Sequence, residues 1–205
     1  MVHLAWLFQP THRPDITWNN NVMGAIHLFE TVADERVPAL VYASSVAAYS
    51  PEPTNLEVTE DWPTHGWPGA AYPLEKAYLE RLLDGYEQRH PDVRVVRMRP
   101  GFILKRESAT AQRRLFIGPL LPGRLARGTV IPAVPVVEGL RAQILHSSDA
   151  AEAYVQAVLR PVRGAFNHAA APPVDGHFLA ELLGARHIPV PRAMLRGALG
   201  SVARA

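Results

Sequence analysis

The stretch VPALVYASSVAAYS, residues 37–50, decides the fold. Ala39 to Ser44 is a short apolar run without polar alternation, the pattern of a strand buried on both faces. Such strands belong to parallel sheets covered by helices, because a sheet with one wet face would alternate. The run stops at Ser44 and Ser45, and Ser50 to Ala70 follows as a proline-rich connection. A connection of about 20 residues in a compact domain marks a functional loop, and we read it as lying on the substrate side.

Working outward, residues 1–6 are an apolar, strand-like start. From Pro14 to Arg36 the residues Ile16, Val22, Ile26, Phe29 and Val32 or Ala33 recur at helical spacing. On the other side, Tyr72 to Gln88 predicts a helix with Tyr78, Leu79, Leu82, Leu83 and Tyr86 on the buried side and Pro73 tolerated in the first turn. Val93 to Met98 is the next strand. This order predicts right-handed crossovers and an α/β layer with a parallel sheet and helices on both faces.

After Pro100 the character changes. Residues 105–140 are rich in Pro, Gly and Arg and read as part of a lobe. Asp149 and Glu152 read as a capping pair opening a helix that carries Ala153, Tyr154, Ala157 and Val158. Gly164 to Ala169 is then a strand, Phe178 to Leu183 a short helix, and the last fifteen residues a basic tail. The expected division is 1–104, carrying sheet and site, and 105–205, a small C-terminal substrate lobe that returns one strand and helix to the sheet.

Composition narrows the function. A chain of 205 residues with 48% hydrophobic content supports one sizeable core. Its 21 Lys and Arg are interleaved with 19 acidic residues, so no basic block marks a nucleic-acid partner. The absence of cysteine excludes disulfides and thiolate chemistry and is compatible with a reducing cytoplasm. None of the nine histidines falls in a ligand motif such as H-E-x-x-H, so no metal is expected. The apolar run in MVHLAWLFQP is too short for a signal peptide, and no later run suggests a membrane span; we expect a soluble protein.

Chemistry is suggested by Tyr72 and Lys76, four apart on a predicted helix and therefore projecting from one face. A tyrosine of pKa near 10 needs roughly 4 kcal/mol to ionise at pH 7, and an ammonium about 4 Å away supplies about that much. The pair thus forms a workable acid/base for a hydroxyl or carbonyl. Ser45, at the carboxyl end of the strand where ligands bind in open α/β sheets, is placed to hold the reacting oxygen, with Ser44 its near competitor.

The series VHLAW, NNNVMGAIHLFETV, VYASSVAAYS, YPLEK, VRVVRMRPG and LHSSDAAEAY resembles the extended short-chain dehydrogenase/reductase family, in its NAD-dependent epimerase/dehydratase branch, from residue 2 to about residue 170. The resemblance implies a partial Rossmann-type sheet holding its later strands. It implies Tyr72 as catalytic acid/base, Lys76 binding the nicotinamide ribose and lowering the tyrosine pKa, and Ser45 orienting the substrate oxygen. Asn21 matches an asparagine of structural or proton-relay role. Ala5, Ser44, Pro100, Gly101 and Phe102 match segments that line the cofactor, NAD or NADP. The implied activity is hydride exchange with a secondary alcohol or ketone of a small molecule, such as a nucleotide sugar. A non-catalytic ligand-sensing or assembly protein on the same fold is the alternative. Relatives dimerise through helices corresponding to residues 15–35 and 72–88, which implies a homodimer. Asp149 matches a residue that starts a helix, and His146 beside it is assigned to packing.

Two departures stand out. Nothing here resembles the family's G-x-x-G-x-x-G turn, whose amides receive the pyrophosphate. The expectation is therefore an N-terminally truncated reading that binds NAD(P) poorly. Glu75 stands where relatives often carry a small residue, and is read as pointing outward.

Overall fold

The structure, a computed structural model, describes residues 1–9, 12–51, 57–108 and 133–191. In chain order its elements are β1 (Val2–His3), α1 (Pro14–Trp18), α2 (Gly24–Asp34), β2 (Ala39–Ala43), α3 (Ala71–Arg89), β3 (Arg94–Pro100), β4 (Phe102–Leu104), β5 (Ala133–Val136), β6 (Arg141–Ala142), β7 (Ile144–His146), α4 (Ser147–Leu159), β8 (Gly164–His168), β9 (Val174–Asp175), α5 (Gly176–Leu183) and β10 (Arg186–Pro189). They form two compact units, one of Met1–Gly101 with Ser148–Ala169, the other of Phe102–Ser147 with 170–191.

The first unit is built on a four-stranded sheet in the order β1-β2-β3-β8, parallel throughout. Val41 lies opposite Val2 on one side and Val96 on the other. Because side chains alternate along a strand, Leu40, Tyr42 and Val95 face one way, and Val41, Val96 and Met98 the other. The first set packs with Val22, Phe29 and Val32 before and within α2 and with Leu79, Leu83 and Tyr86 of α3. The second packs with Ala157 and the partly buried Ala153 and Tyr154 of α4. Full burial of each such large side chain stabilises by about 1.5–3 kcal/mol. The expected parallel sheet with helices on both faces is the fold observed.

Several local expectations are corrected. β1 covers only Val2–His3, and residues 4–9 have no regular structure. The helix expected from Pro14 to Arg36 is interrupted by a π-helical turn, Asn19–Met23. Tyr78 is 44% exposed, with its ring 4.9 Å from that of Trp18, because the buried face of α3 turns Glu75, Lys76 and Glu80 inward instead. α4 begins at Ser147, which puts Asp149 inside its first turn and not at the cap. In the second unit, the Asp175 side chain caps α5 by accepting from Phe178 N at 2.8 Å, and an unanticipated β10 pairs in parallel with β5. Residues 52–56 of the proline-rich connection, 109–132 of the lobe and 192–205 of the tail lie outside the described residues. Among those described, no helix is long and apolar enough to cross a membrane.

The rest of the proline-rich connection is tied to the sheet unit. Ser50 N donates to the Pro63 carbonyl at 2.7 Å, and Gly66 N to the Ala48 carbonyl at 3.0 Å. Arg81 of α3 binds both the carbonyl and the hydroxyl of buried Thr64.

Candidate active site

α3 starts beside the carboxyl end of β2, which brings Tyr72, Lys76 and Ser45 together. Lys76 is buried, 3% exposed, and its Nζ donates to the Ala43 carbonyl at the end of β2 at 2.6 Å. The Tyr42 hydroxyl is a longer partner at 3.5 Å. Ser45 leaves β2 in an extended conformation and caps a short turn, Val46–Ala48, its Oγ accepting from Ala47 N at 3.1 Å. Tyr72 is half-buried between two rings: Trp6 meets it edge-on at 5.6 Å between centroids and Phe8 lies tilted at 5.3 Å.

Burial raises the Tyr72 pKa above 10.0, and the neighbouring Ser45 hydroxyl only partly offsets it. The lowering expected from Lys76 is absent. Its ammonium is 5.9 Å from the Tyr72 ring centroid and is directed at the Ala43 carbonyl and at the face of Trp6, whose ring centroid is only 3.4 Å away. Burial instead drops Lys76 itself to about 7, against the opposing pull of the Glu80 and Glu75 carboxylates. Near neutral pH the phenol keeps its proton while the amine titrates.

Asn21 and Glu75 form a second cluster behind the tyrosine. Asn21 lies in the π-helical turn, a feature frequent at functional sites because the widened turn re-aims a side chain. Its Nδ2 donates to Glu75 Oε2 and to the Leu7 carbonyl, each at 2.9 Å, and its Oδ1 accepts from Leu7 N at 2.7 Å. Glu75 does not point outward: it is 3% exposed and also accepts from the Thr17 hydroxyl at 2.6 Å. A buried carboxylate needs such partners, and here they are neutral donors.

Ser44 is buried, and its hydroxyl donates to Glu80 Oε1 at 2.5 Å, so its side chain belongs to a charged cluster under the site. Glu80 is fully buried and takes a two-pronged contact from Arg99, Nε at 2.9 Å and Nη2 at 3.0 Å. Arg97 adds a bond at 3.2 Å to Glu80 and pairs outward with Asp84 and Glu87. Burial alone would raise the Glu80 pKa, yet Arg99, Ser44 and Arg97 hold it below its ordinary value. Arg99 also reaches the Tyr49 hydroxyl and the Glu60 carbonyl, each at 2.8 Å, which ties the proline-rich connection to β3.

Of the remaining candidates, Ala5 is exposed in the irregular segment next to Trp6. Pro100 ends β3, buried and paired with His168, and Gly101 N donates to the His168 carbonyl at 3.0 Å. Phe102 belongs to the second unit, where it opens β4 and is 51% exposed. Sequence reasoning missed Trp6, Phe8, Glu80 and Arg99. The spacing held a signal for the last two: Glu80 is one helical turn beyond Lys76, and Arg97 and Arg99 share one face of β3 at period two.

A parallel sheet flanked by helices, with tyrosine, serine and lysine gathered at the carboxyl end of a strand, places the chain in the Rossmann-type class of α/β folds. Residues 2–169 match the model of the NAD dependent epimerase/dehydratase family, and the chain belongs to it. It is 30% identical over 94 residues to a UDP-glucose 4-epimerase of Yersinia pestis, covering 44% of this chain and 27% of that protein. It is similar in fold to a UDP-N-acetylglucosamine 4-epimerase from Methanobrevibacter ruminantium M1, with a TM-score of 0.70 at 16% identity over 92% of this chain and 63% of that one. A short-chain dehydrogenase/reductase superfamily protein from Agrobacterium tumefaciens with bound NAD gives 0.68 at 23% identity, over 97% and 73%. The chain therefore spans about a quarter of the curated relative's length and under two thirds of the first of these structures.

Proposed function

We propose that the protein interconverts a secondary alcohol and a ketone on a small molecule, with a nucleotide sugar as the favoured substrate, by exchanging hydride with NAD or NADP. The observation that carries this reading is the meeting of Tyr72, Ser45 and Lys76 at the end of β2. The names of the two epimerase relatives favour the nucleotide sugar, and we assign its recognition to the lobe of residues 105–205.

The donor set fits a nicotinamide riboside. Lys76 has one direction facing an indole instead of an oxygen, suited to a ribose hydroxyl, while Tyr72 and Ser45 offer a phenol and an alcohol to one reacting oxygen. Lys76 would hold the ribose, with Ala5, Ser44, Pro100 and Gly101 lining the rest of the cofactor. The bound cofactor supplies hydride acceptance and return. Ser45 then orients the substrate oxygen, and Tyr72 takes or returns the proton on it. Because burial favours the protonated phenol, Tyr72 is poised first as the acid that donates to a carbonyl oxygen. Asn21 acts at one remove, by fixing the segment that carries Trp6 and Phe8.

Exposed Trp18, Met23, Leu74 and Tyr78 support a homodimer through the helices at 15–35 and 72–88, which light scattering tests directly. A second reading, a ligand-sensing or assembly protein on the same fold, is favoured by the sealed position of Lys76. Turnover of UDP-sugars by the intact protein with NAD or NADP separates the two. Tyr72→Phe should lower kcat by about 10²–10⁴-fold with nicotinamide still bound; undiminished turnover in that variant rules out the acid/base role.

A further inference from the structure

We propose that the Trp6 indole is a gate over Lys76, which a hydroxylated ligand must swing aside before the ammonium can bind it. The inference rests on the reading that Lys76 receives a ribose-like diol, while the indole over the ammonium is observed independently of it. An ammonium has three donor directions. One goes to the Ala43 carbonyl and a second, longer, to the Tyr42 hydroxyl, both on β2. The indole face covers another side at 3.4 Å, as a cation–π partner. With Lys76 3% exposed, no ligand atom reaches Nζ unless one of these partners moves.

Only one of them is free to do so. Ala43 and Tyr42 are held in the β2–β3 ladder, and Tyr42 is buried among Phe29 and His3. Trp6 sits in the irregular segment after β1 and is only half-buried. The next residue, Leu7, has both peptide groups pinned by Asn21. That pin fixes the backbone beside the gate, so opening is a rotation of the indole and not a departure of the segment. The same indole lies edge-on to the Tyr72 ring, so opening also removes one of the two aromatic neighbours of that ring, the other being Phe8. One movement thus frees the amine and loosens the packing of the phenol.

The chain's two lysines make the test clean, because Lys105 is exposed and serves as an internal standard. Amine acylation of the intact protein, read by peptide mass spectrometry, should modify Lys76 far more slowly than Lys105. Trp6→Ala should accelerate Lys76 about tenfold or more relative to Lys105, while Trp6→Phe, which keeps an aromatic face, stays near the wild-type rate. Hydrogen exchange of the α3 amides distinguishes gate opening from loss of the fold, and Trp6→Leu replaces Trp6→Ala should the latter unfold. Equal Lys76 rates in wild type and in the folded Ala or Leu variant overturn the gate. If the rate rises but neither NAD, NADP nor UDP-glucose slows it, the gate stands and the proposed cofactor role of Lys76 falls.

Discussion

A single side-chain amide, that of Asn21, holds both peptide groups of Leu7, accepting from its N–H at 2.7 Å and donating to its carbonyl at 2.9 Å. The contact replaces a strand ladder that ended at His3, and it aims Trp6 and Phe8 at either side of Tyr72. Asn21→Ala would leave Glu75 with the Thr17 hydroxyl and the Leu7 groups without their partner. Unpaired part-buried groups cost about 1–3 kcal/mol each, so the variant should lose about 2–4 kcal/mol in urea unfolding. Asn21→Asp should fare no better, since it sets a second carboxylate against Glu75. Stability within 0.5 kcal/mol (roughly the range of a neutral surface change) would show that Leu7 is held by something else.

The charged cluster gives a prediction with a sign. Glu80 has a folded pKa below its ordinary 4.5, so its contribution to stability is complete above that value and lost as pH falls through the folded one. Glu80→Gln strands Arg99 in the interior and should cost about 3 kcal/mol at neutral pH. It should also flatten the acid limb of the stability curve, so that the two proteins converge toward low pH. Parallel curves from neutral pH to about pH 3 would mean that another carboxylate governs acid unfolding.

How far these features were readable from the chain differs from element to element. The run Ala39–Ser44 and the helical stripe from Val22 to Val32 carried the parallel sheet and its helical cover, because apolar periodicity reports directly on burial. Tyr72, Lys76 and Ser45 could be placed together, since a four-residue helical offset and a strand end are local geometry. Glu75 could not. Its burial depends on Thr17 and Asn21, which lie more than 50 positions away, and a periodicity argument that sorts residues by polarity places a glutamate outside and Tyr78 inside. The π-helical turn at Asn19–Met23 left no trace in side-chain pattern because it is a shift in backbone hydrogen bonding. Trp6 over Lys76 was hidden for a related reason: nothing in HLAW states where a ring turns once the strand has ended.

Lys76 gives a prediction at the alkaline side. Its folded pKa is about 7 and its ordinary value 10.5, so between these the unfolded chain binds more protons than the folded one. Stability should therefore rise with pH across this window, by up to about 1.4 kcal/mol per pH unit, after paying no further penalty below pH ~7, where both states are protonated. Lys76→Met should remove that rise and gain stability at neutral pH. Unfolding curves between about pH 7 and pH 9.5, below the tyrosine range, make the comparison; equal slopes in both proteins would contradict the buried amine.

A glycine-bearing turn brings the proline-rich connection to α3. Gly66 and Gly69 both have positive φ, +71° and +85°, a conformation that costs an L-residue about 1 kcal/mol or more. Their surroundings differ. A Cβ on Gly66 would stand 2.6 Å from the Pro73 carbonyl oxygen, whereas one on Gly69 meets nothing within 4 Å. Pro73 lies beside Tyr72 in the first turn of α3, so any shift that relieves the clash moves the backbone that positions the phenol. Gly69→Ala should cost only about the conformational 1 kcal/mol and leave the site unchanged. Gly66→Ala should cost at least about 2 kcal/mol more and perturb Tyr72, read as a change in its fluorine resonance after 3-fluorotyrosine incorporation. If the two alanine variants were equally stable with identical Tyr72 resonances, the close approach of Gly66 to Pro73 would play no part in fixing the site.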